Sequence, residues 1–201
     1  MVDRLAPSSA FGLVHRLGHH GAVRPARLVV CERTDLALAS VIARRGAEPA
    51  LAAKVADTFG LALPTTPHRS EAGGVAFVWA GPGHWLATAD GEAGHRFEAR
   101  LRMALAGLAS ISDQSDGRAV LHLAGPRARD TLAKGLPVDL HPGVMQSGSA
   151  IVSAIAHIGV HLWQLDTMPT YECAVSRSYA HSFWHWLEAS AAEYGFTVAP
   201  E

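Results

Sequence analysis

His181 and His185 stand four residues apart in a stretch whose spacing predicts a helix, so their imidazoles would share a face and could offer two ligands to a zinc ion. Zinc hydrolases built on such a pair place a glutamate directly after the first histidine, and here that position holds Ser182. The pair therefore reads as two exposed or partner-facing histidines. His15, His19 and His20 repeat the spacing near the N-terminus, but the glycines around them argue against the regular helix such a metal site would use. Gly73-Gly74 and Gly81-Pro82-Gly83-His84 lack both the Gly-Lys-Ser/Thr ending of a phosphate loop and the G-x-G-x-x-G of a dinucleotide site. Gly81 to Gly83 reads as a tight turn, and FAD or NAD is not expected to be held by this chain alone. Asp113 and Asp116 could act as acid and base, although capping of the turn ahead of Gly117 is the simpler role. Neither Cys31 nor Cys173 stands in a nucleophile context, and both read as small buried hydrophobes. No catalytic, cofactor-binding or metal-binding residue is assigned.

Aromatic residues give a different signal. Eight of the fourteen fall between Trp163 and Phe196, with Phe183, Trp184 and Trp186 inside one helical turn. These three point in different directions around a helix, so one packing surface does not cover them all. Either a loop or the N-terminal arm covers the second side, or a partner does. Trp184 and Trp186 are the candidate anchors of a partner interface, with Phe183 and Tyr179 in support.

The elements that would position these residues follow from periodicity. Residues 1–33 show no sustained period and read as a loosely structured arm ending in an apolar stretch, Leu28 to Cys31. Leu36 to Ala43 reads as a strand, and Leu51, Val55 and Phe59, bracketed by Pro49 and Gly60, as a helix. After a Pro/Gly/Ser loop over Pro64 to Gly74, Val75 to Ala80 and Trp85 to Ala89 read as a hairpin, Gly91 to Ala106 as an amphipathic helix, and Ile111 as a brief strand. A second series begins at Gly117. Val120 to Leu123 is a strand, a helix runs from Pro126 to about Lys134, apolar runs Ala150 to His157 and Val160 to Leu165 are split at Gly159, and Tyr171 to Ser176 is a further strand. A C-terminal helix follows with Ser178 as its N-cap. The order strand, helix, strand, strand, helix, strand is ferredoxin-like. The expected fold is α+β: two ferredoxin-like, split βαβ halves side by side, with an arm over 1–33, a first half over 34–113 and a second over 114–201.

Length and composition agree with a folded, uncomplicated chain. With 201 residues, 49% hydrophobic and 17% charged, it lies far from disordered composition and needs no disulfide or metal to fold. Seventeen basic and eighteen acidic residues, interspersed, argue against electrostatic capture of nucleic acid or an anionic membrane. No stretch reaches the ~20 apolar residues of a membrane span, no secretory leader opens the chain, and two cysteines are too few for a scaffold. A cytoplasmic location is expected.

The segment from Asp113-Gln-Ser-Asp-Gly-Arg through Gly125-Pro-Arg-Ala-Arg-Asp-Thr-Leu to Lys134-Gly-Leu-Pro-Val-Asp-Leu-His-Pro142 resembles the gamma subunit of heterotetrameric sarcosine oxidase. So do Leu162-Trp-Gln-Leu-Asp, Pro169-Thr-Tyr-Glu, Ser176-Arg-Ser-Tyr-Ala and Trp184-His-Trp-Leu, in order, within a match from about Leu36 to Glu193. The Gly-Pro-Arg-Ala-Arg segment is also similar to the wider family of the glycine-cleavage T-protein, an aminomethyltransferase with a folate-binding fold. The resemblance implies a non-catalytic structural subunit of a complex that oxidatively demethylates sarcosine to glycine, passes the one-carbon unit to tetrahydrofolate and forms peroxide. It implies alpha, beta and delta partner subunits holding FAD, FMN, NAD and tetrahydrofolate, and none of these in this chain. The alternative is a stand-alone folate-dependent aminomethyltransferase with Asp113 or Asp116 as acid or base. T-proteins are longer and carry a further C-terminal domain, so a folate pocket here is expected to be incomplete.

Overall fold

Pro49 in the first turn, Leu51 and Val55 four apart, and Gly60 past the end dictate a helix. In the computed structural model, which describes residues 9–12, 14 and 16–200, that helix spans Glu48–Phe59 with Leu51 and Val55 fully buried. Gly60 closes it at φ 69°, returning its N–H to the Ala56 carbonyl at 3.0 Å, a left-handed conformation that costs glycine little. In chain order the first elements are β1 (Gly18–His20), β2 (Leu28–Glu32), β3 (Leu36–Ala43), α1 (Glu48–Phe59), β4 (Arg69–Ala72), β5 (Val75–Gly81), β6 (His84–Asp90), α2 (Gly94–Ala104) and β7 (Ala109–Asp113). There follow β8 (Arg118–Ala124), α3 (Ala128–Ala133), β9 (Ala150–Ile155), β10 (Ile158–Gln164), β11 (Thr170–Ser176), α4 (Ala180–Ala191) and β12 (Phe196–Val198). None of the described helices is long and apolar enough to cross a membrane.

A five-stranded sheet has the order β4-β5-β6-β3-β7, and without its edge strand β4 this is the ferredoxin-like arrangement expected from sequence. A seven-stranded sheet has the order β1-β12-β2-β8-β11-β10-β9. Leu51, Val55, Phe97 and Leu101 from α1 and α2 cover one face of the smaller sheet, while Leu132, Phe183, Trp184 and Leu187 from α3 and α4 cover one face of the larger. The bare faces meet: Leu36, Leu38, Val78 and Leu86 pack against Val120, Ala150, Trp163 and Ala174. The result is four layers, helix, sheet, sheet, helix, an α+β fold of two related halves.

Three expectations are corrected. Leu28–Glu32, read as the end of a loose arm, is an interior strand, parallel to β12 and antiparallel to β8, with Leu28 and Val30 fully buried. The reason lies in length: β12 has three residues, and β2 stands between it and β8 to carry the sheet across to the C-terminal strand. Ser178 does not cap α4, because Arg177–Tyr179 form a 3-10 turn ahead of it and no side chain caps either element. The β9–β10 turn falls not at Gly159 but at Ala156 and His157, with φ 46° and 70°, so that Ile155 pairs with Ile158 and both stay buried. Two consecutive left-handed residues match a type I′ hairpin turn, which Asn-Gly fits better than Ala-His. Replacing Ala156 by Asn together with His157 by Gly should raise stability by about 1 kcal/mol in urea denaturation. An unchanged or lower midpoint would contradict the turn assignment.

Candidate functional site

Alternation along β11 sends Tyr171 to the helix-covered core and Glu172 to the space between the sheets. There Glu172 is 3% exposed. It accepts a hydrogen bond from Trp163 Nε1 at 2.8 Å, pairs with the Arg33 guanidinium, and has His122 Nδ1 at 4.0 Å. Arg33 also reaches Asp35 at 2.9 Å and Asp90 at 2.6 Å. Asp90 ends β6 in one sheet and Glu172 sits in the other, so one guanidinium ties the halves together. Burial opposes the charge on Glu172, but the nearby His122 ring, the Arg33 charge, the Trp163 N–H and the Arg69 charge outweigh it and hold the carboxyl below its ordinary range. Burial likewise opposes the Arg33 charge, and its three carboxylates overcome that and raise its pKa.

Beside this junction lies a cleft of about 600 Å³ between the halves, with Glu32, Glu92, Asp116, Arg118 and Arg177 among its walls. Most of its charges have partners within the chain. Glu32 accepts from Ser9 Oγ and from the Ala10 N–H at 2.9 Å, and Glu92 pairs with Arg100 at 2.5 Å. Arg118 Nε and His161 Nδ1 are buried with no hydrogen-bond partner. Burial, seconded by the Arg118 charge, pulls the His161 pKa down to about 4.

The structure separates the other candidates. Asp113 caps its turn, accepting the Ser115 N–H at 2.9 Å, and its carboxylate crowds Gly94 at the head of α2, where an added Cβ would come within 2.7 Å of both oxygens. Asp116 lines the cleft. His181 and His185 are exposed on α4. His15 lies outside the described residues, while His19 and His20 belong to the edge strand β1, with His20 stacked on Phe196 at 4.9 Å. Among the described residues no group of three or more His, Cys, Asp or Glu could hold a metal ion. Cys173 is buried and its thiol pKa is pushed up by that burial, whereas Cys31 is only half-buried. Gly81-Pro82-Gly83 connects β5 to β6 as a tight hairpin.

The aromatic cluster is mostly internal. Phe183 and Trp184 are 0% and 1% exposed, so neither reaches a partner directly. The second packing surface comes from this chain, since Phe11 of the arm and Phe196 of β12 each lie 6.2 Å from the Trp184 ring. Trp186 is half-buried, 5.4 Å from Phe183 and so close over Gly135 that a Cβ there would stand 2.7 Å from its ring. Tyr179 is 54% exposed. Sequence reasoning missed the Arg33–Glu172 junction. The signal was present: a glutamate inside the apolar run Thr170 to Val175 must be partnered if that run is a buried strand.

The two-sheet arrangement with its helical outer layers is an aminomethyltransferase-like fold. It is similar to the glycine cleavage system aminomethyltransferase T of Bartonella henselae, 13% identical, with a TM-score of 0.63 over 87% of this chain and 48% of that one. Within that fold class the chain belongs to the sarcosine oxidase, gamma subunit family, whose model matches residues 44–193. It is 34% identical to the sarcosine oxidase subunit gamma of Corynebacterium sp. (strain P-1) over 122 residues, which are 60% of this chain and 59% of that relative. It also resembles a chain of heterotetrameric sarcosine oxidase from Corynebacterium sp. U-96, solved in complex with pyrrole 2-carboxylate, at 28% identity and a TM-score of 0.74, covering 87% of this chain and 88% of that one.

Removing the Glu172 charge leaves Arg33 and His122 facing a neutral group between the sheets. Glu172→Gln should therefore cost about 3 kcal/mol in chemical denaturation, and a loss below the error of the measurement would remove Glu172 from its tying role. Acid should act in the same sense. A carboxyl held low in the folded state contributes stability above its unfolded pKa and loses it as pH falls through the folded one. A histidine lowered from 6.5 to about 4 contributes stability above 6.5 that is lost between these values, because the unfolded chain binds the proton first. Melting temperature should fall from pH 6.5 to 4, and His161→Gln should flatten that part of the profile.

Proposed function

We propose that this chain is the small, non-catalytic subunit of a heterotetrameric sarcosine oxidase and stabilises its assembly. The observation that carries the proposal is membership of the gamma subunit family over residues 44–193, joined to a fold shared with the Corynebacterium sp. U-96 enzyme. On this reading the complex oxidatively demethylates sarcosine to glycine, passes the one-carbon unit to tetrahydrofolate and forms peroxide, with alpha, beta and delta partners. FAD, FMN, NAD and tetrahydrofolate are held by those partners in the cytoplasm. The internal pairing of charges in the inter-half cleft fits a structural role. The division into halves over 34–113 and 114–201, with the first 33 residues lending the strands β1 and β2 to the second, fits a rigid body that docks as one piece.

Tyr179 and Trp186 are the docking candidates, one exposed and one half-buried, with Phe183 and Trp184 holding their helix from within. Co-expression with the larger subunits should yield a complex that contains this chain, carries flavin and produces peroxide from sarcosine. A chain that stays monomeric beside its assembled partners would overturn the assignment. Tyr179→Ala should leave the melting temperature of the free chain within error, yet weaken assembly about tenfold or more. Unchanged assembly would remove Tyr179 from the interface.

A further inference from the structure

Three of the segments that carry the family resemblance converge on one pocket away from the Arg33–Glu172 junction. It encloses about 350 Å³ and is lined by Arg129 of α3, by Pro142, Met145 and Ser147 of the loop after α3, by Gln164 at the end of β10 and by Thr167. Gly125 to Leu132, Lys134 to Pro142 and Leu162 to Asp166 each contribute.

The polar groups of this pocket are held in place by the chain, yet one acceptor has no partner and its cation has no counter-charge. Arg129 Nε donates to the hydroxyl of fully buried Tyr171 at 3.1 Å, which holds the guanidinium at the pocket wall. No carboxylate among the described residues pairs with it, because the adjacent Asp130 is taken by Arg127. Gln164 is 2% exposed and donates from Nε2 to the Asp166 carbonyl at 2.6 Å, yet its Oε1 is buried with no hydrogen-bond partner. Ser147 Oγ donates to the Leu165 carbonyl at 2.9 Å. A half-buried cation without a counter-charge calls for a carboxylate, and an orphaned amide oxygen calls for an N–H donor. An acidic residue within a polypeptide brings both.

The surroundings favour a macromolecule over a free metabolite. Val144, next to Met145, and Met168, next to Thr167, are 63% and 72% exposed. Arg and Met are enriched where proteins meet, and large apolar side chains beside a guanidinium are what a partner surface covers. We propose that this pocket is a socket for an acidic side chain of a partner subunit, whose carboxylate forms a forked ion pair with Arg129 while Val144 and Met168 pack against its neighbours. This rests on the subunit reading above and names where the chain docks.

The test compares wild-type chain, Arg129→Gln and Arg129→Lys for assembly with the larger subunits, with the melting temperature of each free chain as the control for folding. The expected result is that Arg129→Gln melts within a few degrees of wild type but assembles about tenfold or more weakly, and that Arg129→Lys restores part of the loss. A photo-crosslinking residue at position 144 should capture a partner peptide containing Asp or Glu. Equal assembly of Arg129→Gln and wild type overturns the socket, as does a crosslink to a peptide without an acidic residue or none at all. If Arg129→Gln does not fold, the crosslink alone decides. Saturable binding of acetate to the free chain, abolished in Arg129→Gln while assembly is unaffected, would instead make this a small-carboxylate site and overturn the docking role. Failure of the wild-type chain to assemble at all would fall on the subunit reading itself.

Discussion

Placing a carboxylate between two apolar sheet faces is unfavourable unless opposite charge and hydrogen bonds come with it, and Glu172 has both. Arg33, His122 and the Trp163 indole converge on it, and Arg33 extends the connection to Asp90 of the other sheet. The apolar contact beside it, Leu36, Leu38, Val78 and Leu86 against Val120, Ala150, Trp163 and Ala174, supplies non-directional attraction. Such a contact alone permits the halves to slide or rotate. The Arg33–Asp90 pair, at the half-exposed edge of the layer, adds a directional link between the sheets that favours one orientation. The cleft and the covered sheet faces depend on that orientation.

The same economy of partners runs through the larger sheet. Its seventh-strand reach is possible because residues from the N-terminal arm form β2 between β8 and β12. The arm then turns its Ser9 and Ala10 onto Glu32 and its Phe11 onto Trp184. The arm thereby closes the core that α4 would otherwise leave half open. Two of the four aromatic residues on and before α4 are consumed by this closure, and the outward surface is left to Tyr179 and the edge of Trp186.

Much of the first half was legible from sequence because its cues are local. Pro49 and Gly60 bracket a four-residue repeat, Gly81-Pro82-Gly83 marks a hairpin, and β3, α1, β5, β6, α2 and β7 emerge in the expected order. The second half was less legible. The turn at Ala156 and His157 carries no turn residue, since burial of Ile155 and Ile158 sets the register there, and the flanking Gly159 lies in a strand. β2 and β12 are too short to show a period, and each becomes a strand only when its neighbour in the sheet, distant in sequence, is in place.

Sequence by itself determined the class of fold, the family and the want of any nucleotide-binding or zinc-hydrolase motif, because these reside in residue types at fixed short spacings. It also placed the aromatic residues on one helix and the acidic pair ahead of Gly117. Only the tertiary structure decided which of them face inward, that Glu172 answers Arg33 across the chain, and that Arg129 and the unpartnered Oε1 of Gln164 meet in one pocket. The physical reason is that burial and charge pairing are properties of space. A side chain's neighbours across a sheet or between layers come from segments whose separation along the chain carries no trace of their contact.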